Sequence, residues 1–480
     1  MNILALEAST SSAKAVLYSG TGGIIAARDQ AYDLNISNVV TQDPGGIYRA
    51  LLDCGSSLIK SHGKDIKGDI DAIALCSTWH SLLFTDRRGE PVGRILTWAN
   101  NNAADIVSRY RGDTGLVNDI YKRTGCPVHT NFPLWKWLHF KEDNDIDTSS
   151  LRLSSQAEYI FRRMTGDWGV SLSAASGSGF LNIHTLDWDE GILEFADLTI
   201  DQLAPLRDPE YTAPLRAEAA KALCVREGIP VVITGPDGAF NQVGAGAMGD
   251  GIMTMSVGTS GAIRMATDSP ILPEVPSTWC YYVAEGKRLA GAATSGAGNC
   301  VNWFVKTLNK NKYSYNALEN FIDETRLMDA PTFLPFMFGE RSPGWEGSRL
   351  GGFTRLRGEH GLGELYYSVL EGILLNIYQC YEILTRVGGT PRDIRISGGI
   401  ENSEFWLQMA ADIFQREIQT FDLEHASTMG AIAMALKALG GMGSLQEFKL
   451  NPKKTIVPNK DKAEFYENRF QQYKEWYHKA

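Results

Sequence analysis

The chain has 480 residues, 44% hydrophobic and 21% charged, with a net charge of −10. That length exceeds one ordinary core and sets two domains as the first expectation, while the acidic balance excludes a nucleic-acid partner held by bulk charge. The seven cysteines are scattered with no CxxC and the eight histidines form no HExxH, so neither a disulfide frame nor a zinc site is expected, and a start without a basic leader region or a membrane-length apolar run points to the cytoplasm with no membrane contact.

In chain order, residues 3–6 predict a short buried strand, 7–12 a hydroxyl-rich turn, 14–18 a second strand and 24–28 a third. Apolar spacing predicts a helix over 44–61, and 71–76 is strand-like again. Residues 94–203 read as helical and irregular, rich in tryptophan, and 205–214 as a loop. The next stretch, 231–263, organises the rest. Its β-branched run at 231–234 predicts a buried strand, Gly235-Pro236-Asp237-Gly238 breaks it, and a helix is expected over 239–248. Asp237 thus falls at a strand's carboxyl end, where ligands of α/β sheets bind, and at a helix start, where it could equally serve as an N-cap. The GAGAMG at 244–249 matches a dinucleotide fingerprint in letters, but it ends a helix instead of following a strand.

The plan then repeats. Residues 252–256 predict a strand, 257–261 a turn of small and hydroxyl residues, and 262–265, 279–284 and 288–293 further strands. A long helix is expected over 361–387, a strand at 394–397 ending in Gly398-Gly399, then a helix at 403–414, a strand at 418–421 and a helix at 429–439. The tail reads as a surface helix from residue 460. Two halves with a shared plan imply an α/β protein of two similar domains facing a cleft, divided at 1–246 and 247–480.

Turns 9–12 and 257–261 occupy equivalent places in the two halves. Each offers N–H and hydroxyl donors to phosphate oxygens, Thr10 and Ser11 in the first, Gly258 and Thr259 in the second. Lys14 adds a positive charge. Phosphoryl transfer needs positioning, a Mg²⁺ and a base for the attacking hydroxyl. Asp237 suits the base, and Glu7 with Asp237 suits Mg²⁺ held through waters. Gly399 permits close approach of a nucleoside. Trp79 and His80, expected to be exposed after the strand at 71–76, suit a polyol. Gly339-Glu340-Arg341-Ser342-Pro343 is too polar for a core and either holds a domain interface or borders the cleft.

Together these motifs resemble the FGGY carbohydrate kinases, in the superfamily shared with hexokinase and actin, almost end to end. Glu7-Ala8-Ser9-Thr10-Ser11-Ser12-Ala13-Lys14 matches the first phosphate motif, Gly235 to Ala239 the GPDGA segment, and Val257-Gly258-Thr259-Ser260 the LGTS turn. GERSP is matched letter for letter at 339–343, LEG at 370–372, and SxGxxxxW loosely at 295–303. Gly398, Gly399, Ser403, Trp406, Gln408, Ala411 and Asp412 match the GGGAxSxxWxQxxAD signature. The resemblance implies two RNase H-like domains around a central cleft, the first binding sugar and carrying the base Asp237, the second binding ATP. It adds Gly298 and Ser403 to the nucleotide side, and Trp98 and Asn100 to the sugar side.

Gluconate and xylulose kinases look closest, and 97–99, 124–129 and 186–190 lean toward the former. Three departures stand out. Glu7 and Ser9 replace the usual Asp and Gly, Trp98-Ala99-Asn100-Asn101-Asn102 stands where WxDxR is usual, and Ser171 replaces an Asp found in many members. The expected function is ATP- and Mg²⁺-dependent phosphorylation of a sugar or sugar acid, by a monomer or a homodimer. A xylulose-type ketose kinase is the alternative, a non-catalytic sugar sensor a remoter one.

Overall fold

β1 (Asn2–Ala8) is buried along its whole length, because it pairs on both edges and is covered on both faces. In this computed structural model, which describes residues 1–21, 23–144, 147–422 and 424–479, β1 pairs antiparallel with β2 (Ser12–Ser19), which pairs antiparallel with β3 (Gly23–Ala31). On its other edge β1 runs parallel to β4 (Ala72–Ser77). Beyond β4 lie β5 (Thr212–Pro214), at the sheet edge, and β6 (Pro230–Pro236), parallel to β4. The sheet order is β5-β6-β4-β1-β2-β3. A second sheet is built from β7 (Ile252–Val257), β8 (Gly261–Thr267), β9 (Trp279–Ala284), β10 (Lys287–Thr294), β11 (Asp393–Ser397), β12 (Ile418–Thr420) and β13 (Lys454–Ile456), in the order β9-β10-β8-β7-β11-β12-β13.

Within these, β3-β2-β1-β4-β6 and β10-β8-β7-β11-β12 share one pattern: an antiparallel meander, then two parallel strands outside the first. The expected α/β architecture of two similar lobes is therefore present. Helices cover the faces: α1 (Pro44–His62), capped by Asp43, α2 (Asp237–Gly244), α3 (Leu362–Gly388), α4 (Glu404–Phe414), α5 (Ala426–Ala438) and α6 (Ala463–Lys479). Among the described residues, no helix is long and apolar enough to cross a membrane.

α5 follows the second sheet in the chain yet packs on α2, β1 and β4 of the first lobe. The two helices cross where side chains are absent. A Cβ on Gly244 would lie 1.8 Å from the Ala426 carbonyl oxygen, and one on Gly430 would lie 2.0 Å from that of Phe240. This explains the GAGAMG stretch without a dinucleotide: its first glycine lets two backbones touch.

Several expectations are corrected. Residues 205–214 are not all loop, since β5 extends the first sheet. α2 ends at Gly244 instead of 248. The segment between β4 and β5 carries an unforeseen hairpin, Leu82–Thr85 with Pro91–Leu96, whose first strand is buried on both faces and whose second is mostly exposed, so neither alternates. α6 lies at the surface as expected, with Glu464, Glu467, Asn468, Gln471 and Glu475 exposed, but its other face is docked. Its Arg469 is fully buried, donating from Nη2 to Glu371 Oε2 at 2.5 Å and from Nη1 and Nη2 to the carbonyls of Ala330 and Pro331. Its Tyr477 donates to Glu340 Oε1 at 2.7 Å. The polar tail thus carries the partners of two buried glutamates in the LEG and GERSP motifs.

Removing one partner of a buried pair leaves the other charge uncompensated, at about 3–5 kcal/mol. Arg469→Ala is expected to lower unfolding stability by that order in denaturant titration, and Arg469→Met combined with Glu371→Leu to lose far less.

Candidate active site

The turn between β1 and β2 is shaped by its own hydroxyls. Ser9 donates from its backbone N–H and from Oγ to the Ser12 carbonyl, both at 2.9 Å. Gln42 Nε2 donates to the carbonyls of Ser9 and Thr10 at 3.1 and 3.0 Å. With the carbonyls tied back, Thr10 and Ser11 face a polar cavity of about 320 Å³, lined also by Glu7, Lys14, Asp237 and Ser427. Ser9, one of the departures from the usual motif, closes the turn itself.

Glu7 is 3% exposed and stands opposite Lys14 in the β1–β2 register. Its Oε1 accepts from Lys14 Nζ at 3.0 Å and its Oε2 from Ser427 Oγ at 2.5 Å. Ser427 was invisible in the sequence, since it lies 420 residues away at the start of α5. Asp237 is the first residue of α2. Pro236, not Asp237, is the N-cap, so the plain capping reading does not hold. The Asp237 carboxylate accepts the Gly238 N–H through Oδ1 at 2.7 Å. Burial, then the charge of Glu7, push its pKa from the usual 3.8 to about 6, against the pull of the Gly238 N–H, Arg264 and Lys14. The group is thus ionised at neutral pH and a far better proton acceptor than a free aspartate. The Asn241 side, one turn further along α2, and Glu424 complete the cavity wall.

Among the described residues, no cluster of three or more His, Cys, Asp or Glu forms a metal cage. The donor set suits Mg²⁺ all the same: that ion keeps most of its waters and needs only one or two carboxylates beside nucleotide phosphates, and Glu7 and Asp237 face a space that can hold such waters.

Between the lobes lies a larger cavity of about 920 Å³. From the first lobe it takes Trp98, Asn101, His129 and Asn131, and from the second Thr259, Ser260 and Arg341. Trp98 joins the two subsites, donating from Nε1 to Thr10 Oγ1 at 3.0 Å while Arg341 lies over its ring, 5.9 Å from the centroid. Of the two alternatives for GERSP, the cleft border holds, through Arg341, while Ser342 docks within the second lobe, on β10 through Ala293. Asn100 is 1% exposed and its Oδ1 accepts the Asn102 N–H at 3.2 Å. It holds its own turn, and Asn101 faces the cavity in its place.

Trp79 and His80 are not an exposed pair. Trp79 is 7% exposed, donates from Nε1 to the Ser173 carbonyl at 3.1 Å, and lies so close behind Gly238 that a Cβ there would meet its ring at 2.8 Å. It supports the first turn of α2 from behind. His80 bonds the Gly177 carbonyl through Nδ1 at 2.6 Å and packs against Phe132 and Tyr281. Burial lowers its pKa to about 3, so the ring is neutral. In the second lobe, Gly258 and Thr259 offer an accessible turn, and their carbonyls accept the N–H groups of Gly298 and Asn299. Ser403 caps α4 and donates to Glu319 at 2.7 Å, so its hydroxyl is engaged on both sides. Gly398 has φ +104° and no room for a Cβ beside Val257, whereas Gly399 is exposed with ordinary space around it. Sequence reasoning missed Asn101, Asn131, Ser427 and Arg264. The last carried a signal, a lone arginine inside the otherwise apolar strand β8.

Family models describing the N-terminal and C-terminal domains of the FGGY family of carbohydrate kinases match residues 2–244 and 253–439. The chain belongs to that family and is an ATP-dependent carbohydrate kinase. It is 28% identical to a gluconokinase of Bacillus subtilis, covering 92% of this chain and 88% of that one. Its fold superposes on a ligand-bound xylulose kinase from Lactobacillus acidophilus with a TM-score of 0.92 and 29% identity, covering 99% and 97% of the two chains. It superposes on a gluconate kinase from the same organism with a TM-score of 0.91, 29% identity and the same coverage.

A carboxylate must be unprotonated to accept a proton. For a reaction in which Asp237, with its pKa raised to about 6, takes that proton, kcat/KM is expected to fall tenfold per pH unit below about pH 6 and to level off above it. A pH–rate profile checks this, and a limb near the usual carboxylate value contradicts it.

Proposed function

We propose that Asp237 is the general base of a kinase that phosphorylates a sugar acid, with an aldonate such as gluconate as the preferred acceptor. The observation that supports this reading is one carboxylate, with a raised pKa, in the cavity lined by the first hydroxyl-rich turn, which Trp98 joins to the cleft bordered by the second. Asp237 takes the proton from a sugar hydroxyl, the freed oxygen attacks the γ-phosphorus of ATP in line, and ADP leaves. Thr10, Ser11 and Lys14 hold phosphate oxygens from the first lobe, and Gly258 and Thr259 from the second. The nucleoside lies along exposed Gly399, where a side chain would meet it. Gly298 and Ser403 act from behind by fixing the turn and α4. Bound beside Glu7 and Asp237 through its water shell, a Mg²⁺ ion would offset charge on the β- and γ-oxygens.

The sugar faces Trp98, Asn101, His129 and Asn131. Trp79 and His80 form the wall behind it, and Asn100 shapes the loop. The gluconokinase likeness supports the acid reading. So does the loop at 98–102, which brings no carboxylate to the cavity. Residues 1–246 are taken as the sugar-binding domain and 247–480 as the nucleotide-binding one. In support, each sheet comes from one side of that boundary, although α5 returns to the first. The acidic chain is taken to work in the cytoplasm without nucleic acid. The xylulose kinase likeness keeps a ketose as the second acceptor to test.

Asp237→Asn is expected to lower turnover by about 10²–10⁴-fold with sugar binding retained. The folded protein binds this proton more tightly than the unfolded chain, so the stability Asp237 contributes falls as pH rises from about 4 to about 6. At neutral pH the Asn variant should therefore melt higher than the parent. ADP release over gluconate, other aldonates and xylulose, with melting curves at pH 7.5, tests both. Near-normal turnover in the variant would remove Asp237 from the chemistry.

A further inference from the structure

One short loop of the first lobe, His129-Thr130-Asn131, faces the larger cavity along its whole length. The Asn131 N–H donates to His129 Nδ1 at 3.2 Å. A ring nitrogen that accepts a hydrogen bond holds no proton of its own, so the neutral imidazole carries its proton on Nε2. Burial, then the charges of Arg341 and Arg111, keep the ring neutral, with its pKa lowered to about 3. Trp345 steadies the ring from the second lobe. The two ring centroids lie 5.2 Å apart, and Trp345 is itself fixed by donating from Nε1 to the Ser277 carbonyl at 3.0 Å. Among the described residues His129 Nε2 makes no hydrogen bond, and it is not one of the unpaired polar atoms sealed inside the protein. It is a donor open to the cavity.

Thr130 ties a second loop to this one. Its Oγ1 donates to Asn101 Oδ1 at 2.9 Å. That bond occupies the oxygen of an exposed amide on the same cavity and leaves its Nδ2 as the free end. The two carboxylates that border the cavity are already engaged. Glu340 accepts from Arg349 at 2.9 Å and from Tyr477 at 2.7 Å, and Glu346 accepts from Ser348 Oγ at 2.6 Å. A carboxylate only accepts hydrogen bonds, whereas a sugar hydroxyl also has a proton to place. Two donors joined through Thr130 therefore suit an acid better than a hydroxyl. We infer that His129 Nε2 and Asn101 Nδ2 together receive the carboxylate of a sugar acid and set the preference for acid over neutral acceptors. This rests on the acid-kinase reading given above and adds to it the residues that make the choice. Neither residue is a fixed letter of the motifs shared with the family: Asn101 falls on the variable position between Asn100 and Asn102, and His129 lies outside those motifs. Asn131, whose amide can both give and accept, suits a neighbouring hydroxyl.

The test measures binding of gluconate and of xylulose by calorimetry, and their phosphorylation, for the parent, Asn101→Asp, His129→Phe and His129→Gln. Asn101→Asp keeps the oxygen that Thr130 bonds and replaces the donor by a negative oxygen, which repels a carboxylate but still accepts from a hydroxyl. A hydrogen bond to a charged group is strong enough that the gluconate-to-xylulose ratio of affinities should fall roughly 10- to 100-fold in this variant. His129→Phe keeps a ring against Trp345 without the donor and should lower the same ratio. His129→Gln, whose amide can place an N–H near the position of Nε2, should restore part of it. Asn101 is exposed, so its variant is expected to fold as the parent does, and melting curves check all three. An unchanged ratio in Asn101→Asp, or equal losses for both sugars, would overturn the inference, as would a parent that does not bind gluconate. A parent that binds gluconate through these residues yet phosphorylates only xylulose would uphold the carboxylate site and refute the acid-kinase reading alone.

Discussion

Two carboxylates, Glu7 and Asp237, are held at the ends of parallel strands with a single strand between them. In the register of the first sheet Glu7 and Gly235 both stand opposite Cys76, and Asp237 follows two residues after that glycine. Like charges so placed and partly removed from water repel, and the rest of the site can be read as the means of tolerating that. Lys14 answers Glu7 from the neighbouring strand and Ser427 gives it a hydroxyl. Asp237 receives one N–H bond and the field of Arg264, too little to bring it to an ordinary pKa. The balance left over is a carboxylate that is ionised at neutral pH but ready to accept a proton. Cys76, between the two, is kept protonated by burial and by both carboxylates, so it separates them without adding charge.

The duplication of the sheet supplies the geometry around this pair. A β-meander with a turn of small hydroxyl residues arises in each lobe from the same strand order, and each turn borders a cavity, the first beside Asp237 and the second in the cleft. What binds the lobes is a crossing of α2 and α5 that depends on two missing side chains. α2 begins with Asp237 and α5 carries Ser427 near its start, so the same crossing sets the surroundings of both carboxylates. The contacts of the insertion with the second lobe, the Gly125 carbonyl with the Cys280 N–H and Arg111 with the Gly344 carbonyl, close the far side of the same cleft.

The core strands were legible because both faces are buried and the runs are short, apolar and bounded by turn residues. The elements at the edges were not. β5 is three residues long and ends in proline, and the hairpin at 82–96 carries no clean alternation. The docked face of the tail helix was missed for a different reason: its composition is polar, and nothing local reveals that Arg469 and Tyr477 answer glutamates 98 and 137 residues away. At the site, strand ends and turns announced Glu7, Asp237 and both hydroxyl-rich loops. Motif likeness pointed to the loop at 98–102 but not to its orientation, which turned Asn100 inward and Asn101 outward. Trp79 sits behind Gly238 and His80 stacks beside it, both as packing.

The central claim is that the protein holds Asp237 as a base by enclosing it beside Glu7. Its most direct test is the carboxyl carbon resonance of Asp237, assigned with Asp237→Asn and titrated by ¹³C NMR in the protein without substrates. The account predicts a midpoint near the raised value of about 6 that moves down in Glu7→Gln, where one of the two opposing charges is gone. A midpoint near 3.8, unmoved by that substitution, would contradict it.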